Sequence, residues 1–261
     1  HVQRPPCSAS AFDLVVAPRH DFGEDPRSVP PNVLLTEGSL HSIDASSLQA
    51  AQAEWARPLA PLPRPRLAVL LGGTTSRRWW QRELAPPLTV PVARELVRSA
   101  TEAAAALGGS LLVSTSRRTP PHVVALLRSE MHEARATAPN WLWSGDEGDG
   151  PNPYMGFLAG ADYVVVSADS INMVSEACAT TKPVYVLQPE HTSGRFLAFH
   201  TRMLAQGATK PWPLDGAALE PASRWSGSVA PDTQLAAQRV RMLLEARFGP
   251  LSFGREGSSG G

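Results

Sequence analysis

Hydrophobic residues along the chain form short continuous runs, which alternate with longer stretches whose apolar positions repeat every three or four residues. The short runs predict strands buried on both faces, and the periodic stretches predict amphipathic helices. From residue 66 onwards the two kinds of segment alternate with short connections, which is typical of a parallel sheet covered by helices on both sides. The pattern therefore predicts an α/β fold with a doubly wound, Rossmann-like parallel sheet.

Turn and capping residues set the bounds of the individual segments. The predicted strands cover residues 12–17, 32–36, 67–71, 110–115, 141–143, 163–167 and 183–187. The predicted helices cover residues 90–107, 154–160, 171–180, 195–206 and 234–247, and a further helix has Thr119 as its N-cap and Pro120 as its first residue and runs to about Arg135.

These segments divide the chain into three predicted parts. Residues 1–62 form an N-terminal remnant with a Pro-rich linker, which we expect to be irregular over residues 58–65. Residues 63–210 form a Rossmann-like domain of the nucleotide-binding type. Residues 211–261 comprise a crossing segment, a C-terminal helix and a loose Gly/Ser-rich tail. We expect the C-terminal helix to pack on the sheet domain or to reach back to the N-terminal part.

The composition argues against a general nucleic-acid-binding protein and against a membrane-spanning one. The 261 residues include 24 Lys and Arg against 24 Asp and Glu, so a general affinity for nucleic acid is not expected. No apolar run approaches the roughly 20 residues that a membrane-spanning helix needs. The distant Cys7 and Cys178 do not form a disulfide framework, which favours a reducing compartment. Because the chain starts at His1, we expect a processed product or a fragment of something longer.

In an open parallel sheet, ligands bind beyond the carboxyl ends of the strands. The first strand end of interest is Gly72-Gly73-Thr74-Thr75-Ser76. Glycines allow the backbone to approach a ligand closely, and the hydroxyls could bind phosphate oxygens, with Gly73 as a contact. A tight turn after a core strand explains the same residues equally well. The segment is not a Walker loop, because no Gly-Lys-Ser/Thr follows.

A second strand end, at residues 114–120, places Ser116, Arg117 and Arg118 before a predicted helix start. Two guanidinium groups beside exposed backbone N–H groups and a helix dipole would suit an anion. The alternative is a helix start with solvated arginines.

A third strand end leads from Ser167 into a helix and gives the strongest signal. Ser170 can cap this helix, whose first residues, Ile171 and Asn172, would offer N–H groups to a diphosphate. Glu176 could accept a hydrogen bond from ribose hydroxyls, or it could be a polar residue at the helix–sheet boundary. Asp169 could belong to the site or serve only as a helix cap.

A fourth polar loop, at residues 188–195, contains His191, which has no second ligand at metal-binding spacing. We predict no metal site, no bound cofactor and no assignable catalytic residue. The histidines at 20, 41, 122, 132 and 200 are expected on the surface or as satisfied core groups.

Together these segments resemble the mitochondrial fission ELM family of plants and many bacteria. The resemblance runs from about residue 12 to residue 212. The similar stretches are FDLVVAPRHD (12–21), NVLLTEGSLH (32–41), LLGG (70–73), STSRRTP (114–120), NPYMGFLAGADYVVVSADSINMVSEACATTKPVYV (152–186) and the Arg195-Phe196 region.

The family is similar to GT-B glycosyltransferases, which have two Rossmann-like halves around a cleft. The resemblance implies that Glu176 matches the acidic residue that holds the ribose, and that Ser170 and Asp169 match the diphosphate loop. Gly73 and Ser116 would be supporting phosphate contacts. The family has a fuller N-terminal domain before residue 12, where GT-B enzymes place the acceptor, so half a cleft should transfer little.

The resemblance implies a non-catalytic binding or scaffold module, an accessory subunit of a larger mitochondrial assembly with other proteins as partners. The alternative is a GT-B glycosyltransferase that uses a nucleotide-diphosphate sugar, with Arg117 and Arg118 stabilising the leaving diphosphate. A third interpretation is a nucleotide-sensing adaptor without catalysis. The expected location is the mitochondrion or, alternatively, a bacterial cytoplasm, and peripheral association with a membrane is compatible with either.

Overall fold

The computed structural model describes residues 1–22, 27, 29–73, 85–216, 218–227, 229 and 231–250. The strands of this described part are β1 (Val15–Pro18), β2 (Val33–Thr36), β3 (Arg66–Leu70), β4 (Ser110–Ser114), β5 (Asn140–Trp143), β6 (Tyr163–Ser167), β7 (Val184–Leu187) and β8 (Lys210–Pro211). The α-helices are α1 (Ala45–Leu59), α2 (Val90–Ala106), α3 (Pro121–Ala134), α4 (Tyr154–Gly160), α5 (Ile171–Cys178), α6 (Gly194–Ala205) and α7 (Asp232–Phe248).

Six strands form one parallel sheet in the order β5-β4-β3-β6-β7-β8. The chain leaves β3 on one side to build β4 and β5, and then crosses to the other side for β6 to β8. Every residue of β4 and β6 is buried, as the uniformly apolar runs predicted. The predicted fold class, a doubly wound Rossmann-like parallel sheet, is confirmed.

Two hydrophobic clusters cover the two faces of the sheet. Side chains of α2 and α3 form one cluster, with Leu96 and Leu127 among its fully buried members. Side chains of α1, α4, α5 and α6 form the other, with Phe157 and Phe199 at its centre. The register sets Leu70 beside both Ser114 and Val166, so the carboxyl ends of β3, β4 and β6 lie side by side.

The helix α1 was not predicted, and the expected irregular stretch at 58–65 is wrong at its start, since Pro58 lies inside this helix. A capping box begins α1: Asp44 accepts a hydrogen bond from Ser47 N (2.7 Å), and Asp44 N donates to Ser47 Oγ (2.9 Å). The buried Trp55 and Leu59 then pack against α4. Part of the predicted N-terminal remnant therefore belongs to the packing of the sheet domain, and the boundary at residue 62 remains a prediction.

Strand β8 is a second difference. Lys210 and Pro211 were predicted at the end of the domain and the start of a crossing segment, but they pair in parallel with Tyr185 and Val186 of β7. Pro211 lacks an N–H, which an edge position tolerates. The following Trp212 is buried and meets Tyr185 edge to face, with ring centroids 5.7 Å apart.

The N-terminal strands β1 and β2 form a separate two-stranded parallel sheet. The C-terminal helix reaches back to this part, one of its two predicted placements. Asp232 Oδ2 accepts hydrogen bonds from Glu37 N (2.8 Å) and Gly38 N (2.9 Å), and Thr233 Oγ1 bonds both N and O of His41. Of the helices described, none combines the length and the apolar character needed to traverse a bilayer.

Candidate ligand-binding site

The turn after β3 is packed too closely for any side chain. Gly72 N donates to Ser167 Oγ (2.8 Å), and Gly73 N donates to Asp169 Oδ2 (2.6 Å). A Cβ on Gly72 would lie 2.1 Å from the Asp169 carboxylate, and one on Gly73 would lie 1.9 Å from the Arg118 carbonyl oxygen. Both glycines are therefore explained by a tight turn. The predicted hydroxyl contacts Thr74, Thr75 and Ser76 lie outside the described residues.

Asp169 connects two of the strand ends. Its side chain is only 6% exposed, and its Oδ2 lies 3.4 Å from Arg118 Nη2. Burial raises the pKa of Asp169, against the hydrogen bonds from Ser167 and Gly73 and the charge of Arg118, which favour the ionised form. Asp169 does not cap α5, so that alternative is wrong: its carboxylate holds the β3 turn instead.

The loop after β4 differs from its prediction. Thr119 is not the helix N-cap: its Oγ1 accepts from Ser116 N (3.0 Å) and donates to the carbonyl oxygen of Gly72. Helix α3 begins at Pro121, with Pro120 as an N-cap that makes no side-chain cap bond. Neither proline has an N–H, and Val123 N already donates to the carbonyl oxygen of Pro120 (2.9 Å), so this helix start offers few donors to an anion.

The two arginines of this loop have different roles. Arg118 turns towards Asp169. Arg117 is exposed and forms no ion pair with the part of the chain that the structure describes. The joint anion site predicted for both arginines is thereby reduced to Arg117.

Helix α5 begins as the sequence predicts. Ser170 is its N-cap and accepts from Met173 N (3.4 Å), while Ile171 is buried and Asn172 is exposed. The loop after β2 lies against the same helix, since Ser39 N donates to Ser175 Oγ at 3.0 Å.

Glu176, the predicted ribose acceptor, already has a partner within the chain. The Tyr154 hydroxyl donates a hydrogen bond to Glu176 Oε2. Burial, with the negative charge and hydrogen bond of Glu176, raises the pKa of Tyr154 far above its usual value, so the phenol keeps its proton. A ligand that bonded Oε2 of Glu176 would share that oxygen with this phenol.

A cavity of about 820 Å³ opens at the carboxyl ends of β4 and β5. Ser116 and Arg117 line it, as predicted site residues. The other predicted site residues are not in its lining: they gather at the ends of β3 and β6 and along α5, and they are Gly73, Asp169, Ser170, Ile171, Asn172 and Glu176. The structure thus separates the predicted site into two neighbouring groups.

Several cavity residues were missed because the end of the strand at 141–143 was not considered as a ligand-binding edge. Trp143 closes this strand, and Arg128, Asn152 and Tyr154 lie around it in the lining. The signal was available in the sequence, since the polar loop Ser144 to Asn152 follows the strand directly.

Two histidines are buried near these strand ends. His200 Nε2 donates to the carbonyl oxygen of Ala168 (2.8 Å), and burial lowers its pKa. The His20 side chain packs edge to face on Phe199, with ring centroids 5.5 Å apart, and burial lowers its pKa as well. Neither Nδ1 atom has a hydrogen-bond partner among the described residues. In that same part of the chain, no three His, Cys, Asp or Glu side chains are placed to hold a metal ion.

Comparison with known sequences gives consistent matches. The family model described as "Mitochondrial fission ELM1" matches residues 1–244. The mitochondrial fission protein ELM1 of Arabidopsis thaliana is 33% identical over 265 residues, which cover 94% of this chain and 58% of that protein. Protein RP120 of Rickettsia prowazekii is 28% identical over 172 residues, covering 66% of this chain and 43% of the relative. The chain thus spans less than two thirds of the length of these curated relatives.

Among solved structures, a protein assigned as a UDP-N-acetylglucosamine 2-epimerase, from Listeria monocytogenes, aligns with a TM-score of 0.48 and 12% identity. The alignment covers 92% of this chain and 62% of that protein. A likeness at this level adds nothing to the fold that the strand order already establishes.

Proposed function

Since this chain belongs to the mitochondrial fission ELM1 family, we propose that it is a non-catalytic binding module that works as a subunit of a larger mitochondrial protein assembly. The observation that supports loss of catalysis is the hydrogen bond of 2.6 Å from Gly73 N to Asp169 Oδ2. A diphosphate at the ends of β3 and β6 would need that backbone donor. The Asp169 carboxylate already accepts the hydrogen bond from that donor.

The negative charge of Asp169 also opposes the binding of a diphosphate at this point. A phosphate oxygen that approached Gly73 would meet a second acceptor group, and repulsion between two such groups in a water-poor site is costly. Arg118 lies 3.4 Å from Asp169 and is already paired with it. The site is therefore filled by an internal ion pair in the place where a transferase would bind its leaving group.

The mitochondrial setting rests on the name of the Arabidopsis relative, a mitochondrial fission protein. A bacterial cytoplasm is the alternative setting, because protein RP120 comes from Rickettsia prowazekii. Other proteins are the proposed partners in both cases, and the chain would act through its surfaces rather than through turnover.

A GT-B glycosyltransferase that uses a nucleotide-diphosphate sugar is the second candidate. The observation in its favour is the cavity of about 820 Å³, which has the volume of a small-molecule site and lies beside Tyr154 and Glu176. For this function, the diphosphate would have to displace Asp169 from Gly73, and the ribose would have to bond Glu176 beside the Tyr154 hydroxyl.

Titration calorimetry with UDP, GDP and UDP-glucose, together with an assay for sugar release, separates these candidates. We expect no turnover and no binding of a diphosphate that depends on Gly73 in the unmodified chain. Asp169→Ala removes the competing carboxylate, so it should strengthen UDP binding, whereas Glu54→Ala, which removes an exposed carboxylate on α1 outside the cavity, should not. Sugar release by the unmodified chain would overturn the proposal in favour of the transferase.

A further inference from the structure

We propose that Lys182 is a site of chemical modification, at which an acyl thioester transfers its acyl group to the side-chain amine. Lys182 lies just before β7, at the amino ends of the parallel strands. The candidate ligand-binding site lies at the carboxyl ends, on the opposite edge of the sheet. The modification therefore goes beyond the proposed binding role and does not depend on it.

Lysine is scarce in this chain. The 24 basic residues comprise 22 arginines and two lysines, Lys182 and Lys210. Each lysine follows a threonine and precedes a proline, so the two have the same local sequence. Lys210 is 46% exposed, forms an ion pair with Glu220 and lies 5.3 Å from the ring centroid of Trp225. It is therefore an internal control for the partly buried Lys182.

The carbonyl oxygens at the end of α4 hold the Lys182 amine. Its Nζ donates to the oxygens of Leu158 and Ala159, the latter at 2.8 Å, which the end of a helix leaves without intrahelical partners. These two acceptors are its hydrogen-bond partners in the part of the chain that the structure describes. An ammonium group has three N–H groups, whereas a neutral amine has two and a lone pair. The two carbonyls thus satisfy a neutral amine and leave its lone pair free to react.

The surroundings of Lys182 also favour the neutral amine. Burial lowers the pKa of Lys182 to about 8, and the charge of Arg64 adds to this decrease while Asp162 opposes it. The Asp162 carboxylate is shared, since it pairs with Arg64 Nη2 and accepts from Arg66 N at 2.7 Å. One carboxylate therefore serves a cluster of three cations. The two arginines keep their protons to a far higher pH, so the amine is the group that loses one.

The transfer needs only the amine and the thioester. The Nζ lone pair attacks the thioester carbonyl carbon, a C–N bond forms and the C–S bond breaks. The thiolate leaves, and the nitrogen loses one proton, which passes through water to the thiolate. The products are an amide at Lys182 and a free thiol. At pH 8 about half of the Lys182 amines are neutral, against less than ~1% for a lysine of ordinary pKa.

Acylation of Lys182 would weaken the end of α4. An amide nitrogen carries one N–H, so one of the carbonyl oxygens of Leu158 and Ala159 would lose its donor. The positive charge that stabilises the carboxyl end of the helix would also be lost. This end of α4 packs closely on α1, since a Cβ on Gly160 would lie 2.5 Å from Leu59 Cδ1. The modification should therefore loosen the contact between α1 and α4.

The test is incubation of the full chain with acetyl-CoA at pH 8, with mass spectrometry of the resulting peptides. We expect Lys182 to be acetylated roughly ten times faster than Lys210, because the difference in neutral fraction outweighs the partial burial. The rate at Lys182 should level off above about pH 9, while that at Lys210 continues to rise. Acetylation of Lys182 at the rate of Lys210 or more slowly would overturn the inference, because a lysine that only caps α4 is shielded and not activated.

One variant tests the charge cluster. Arg64→Gln removes an exposed cation that lowers the pKa of Lys182, so it should slow acetylation of Lys182 at pH 7.5 by about threefold and leave Lys210 unchanged. The matched control is Arg239→Gln, an exposed position on α7, which should change neither rate. Equal rates at Lys182 in Arg64→Gln and wild type would overturn activation by this cluster.

A second variant tests the consequence for α4. Lys182→Arg keeps a charged donor at this position but lacks the reactive amine. After complete acetylation, the wild type should unfold at a lower urea concentration than before, whereas treated and untreated Lys182→Arg should have the same midpoint. Acetylation at Lys210 and at the amino terminus occurs in both proteins, so the comparison isolates Lys182. An unchanged midpoint in the acetylated wild type would show that the modification leaves α4 intact, against the inference.

Discussion

Arg202 of α6 donates hydrogen bonds to Glu37 from two guanidinium nitrogens, with Nε 3.0 Å and Nη2 2.8 Å from Oε2. Glu37 also accepts from Arg19 Nε (3.2 Å) and from Gln206 Nε2 (3.1 Å). Burial would raise the pKa of Glu37, but the hydrogen bonds and charge of Arg202, with Gln206 and Arg19, outweigh it and hold the pKa below its usual value. The pair ties the loop after β2 to the sheet domain.

Removing this pair should cost stability. In Arg202→Met the half-buried Glu37 loses its strongest partner, and we expect the free energy of unfolding to fall by about 1–2 kcal/mol in urea titrations. The control is Arg94→Met, which breaks a single ion pair with Glu130 on the exposed surfaces of α2 and α3 and should have little effect. Equal losses in the two variants would mean that the Glu37 cluster adds nothing beyond a surface pair.

The contact between α1 and α4 depends on the absence of a side chain at Gly156. A Cβ there would lie 2.3 Å from Trp55 Cγ. Gly156→Ala should therefore push α1 away from α4 and lower the free energy of unfolding by about 1–3 kcal/mol, measured by urea titration followed by tryptophan fluorescence. Gly148→Ala is the matched control, because a Cβ at that exposed position meets no atom within 4 Å. A neutral Gly156→Ala would show that α1 does not pack as described.

The buried histidines predict a loss of stability in acid. The pKa of His200 and that of His20 are lowered in the folded chain, so the unfolded chain binds more protons as the pH falls through the ordinary histidine range. The free energy of unfolding should therefore be smaller at pH 5.5 than at pH 7.5. Both pH values lie within the reach of urea titrations.

A variant assigns this effect to His200. His200→Gln can still donate to the Ala168 carbonyl but cannot titrate, so it should reduce the dependence between pH 5.5 and pH 7.5 to the part that His20 contributes. His122→Gln, an exposed substitution on α3, should keep the dependence of the unmodified chain. An unchanged slope in His200→Gln would remove His200 as its cause.

The sequence predicted what hydrophobic runs and local caps encode. The strand at 163–167 and the helix at 154–160 match their observed bounds, and Ser170 is the cap that its position implied. Helix α1 was missed although Asp44 and Ser47 form a capping box, because Pro58 lies inside it and its buried positions are limited to Ala51, Trp55 and Leu59. Strand β8 has only two residues and is held by its neighbour β7 rather than by its own pattern.

The candidate site was harder to predict, because its residues compete with one another for partners. The sequence placed Asp169, Gly73 and Glu176 correctly at strand and helix ends. It gave no indication that Asp169 would accept the hydrogen bond of Gly73 N, or that the Tyr154 hydroxyl would donate to Glu176. Such pairings depend on which side chains from separate loops meet, and periodicity and capping rules do not encode that.

The bonds between Asp232 and the N–H groups of Glu37 and Gly38 join positions 195 and 194 residues apart. During synthesis, the loop after β2 leaves the ribosome long before Asp232, which accepts its two backbone hydrogen bonds, has been added to the chain. The sheet of β3 to β7 is complete before residue 232 emerges, so the contacts of Glu37 and Gly38 with α7 should be among the last to form. A nascent chain halted just before Asp232 would carry a formed sheet on which Arg202 already holds Glu37, while the N–H groups of Glu37 and Gly38 would still lack Asp232.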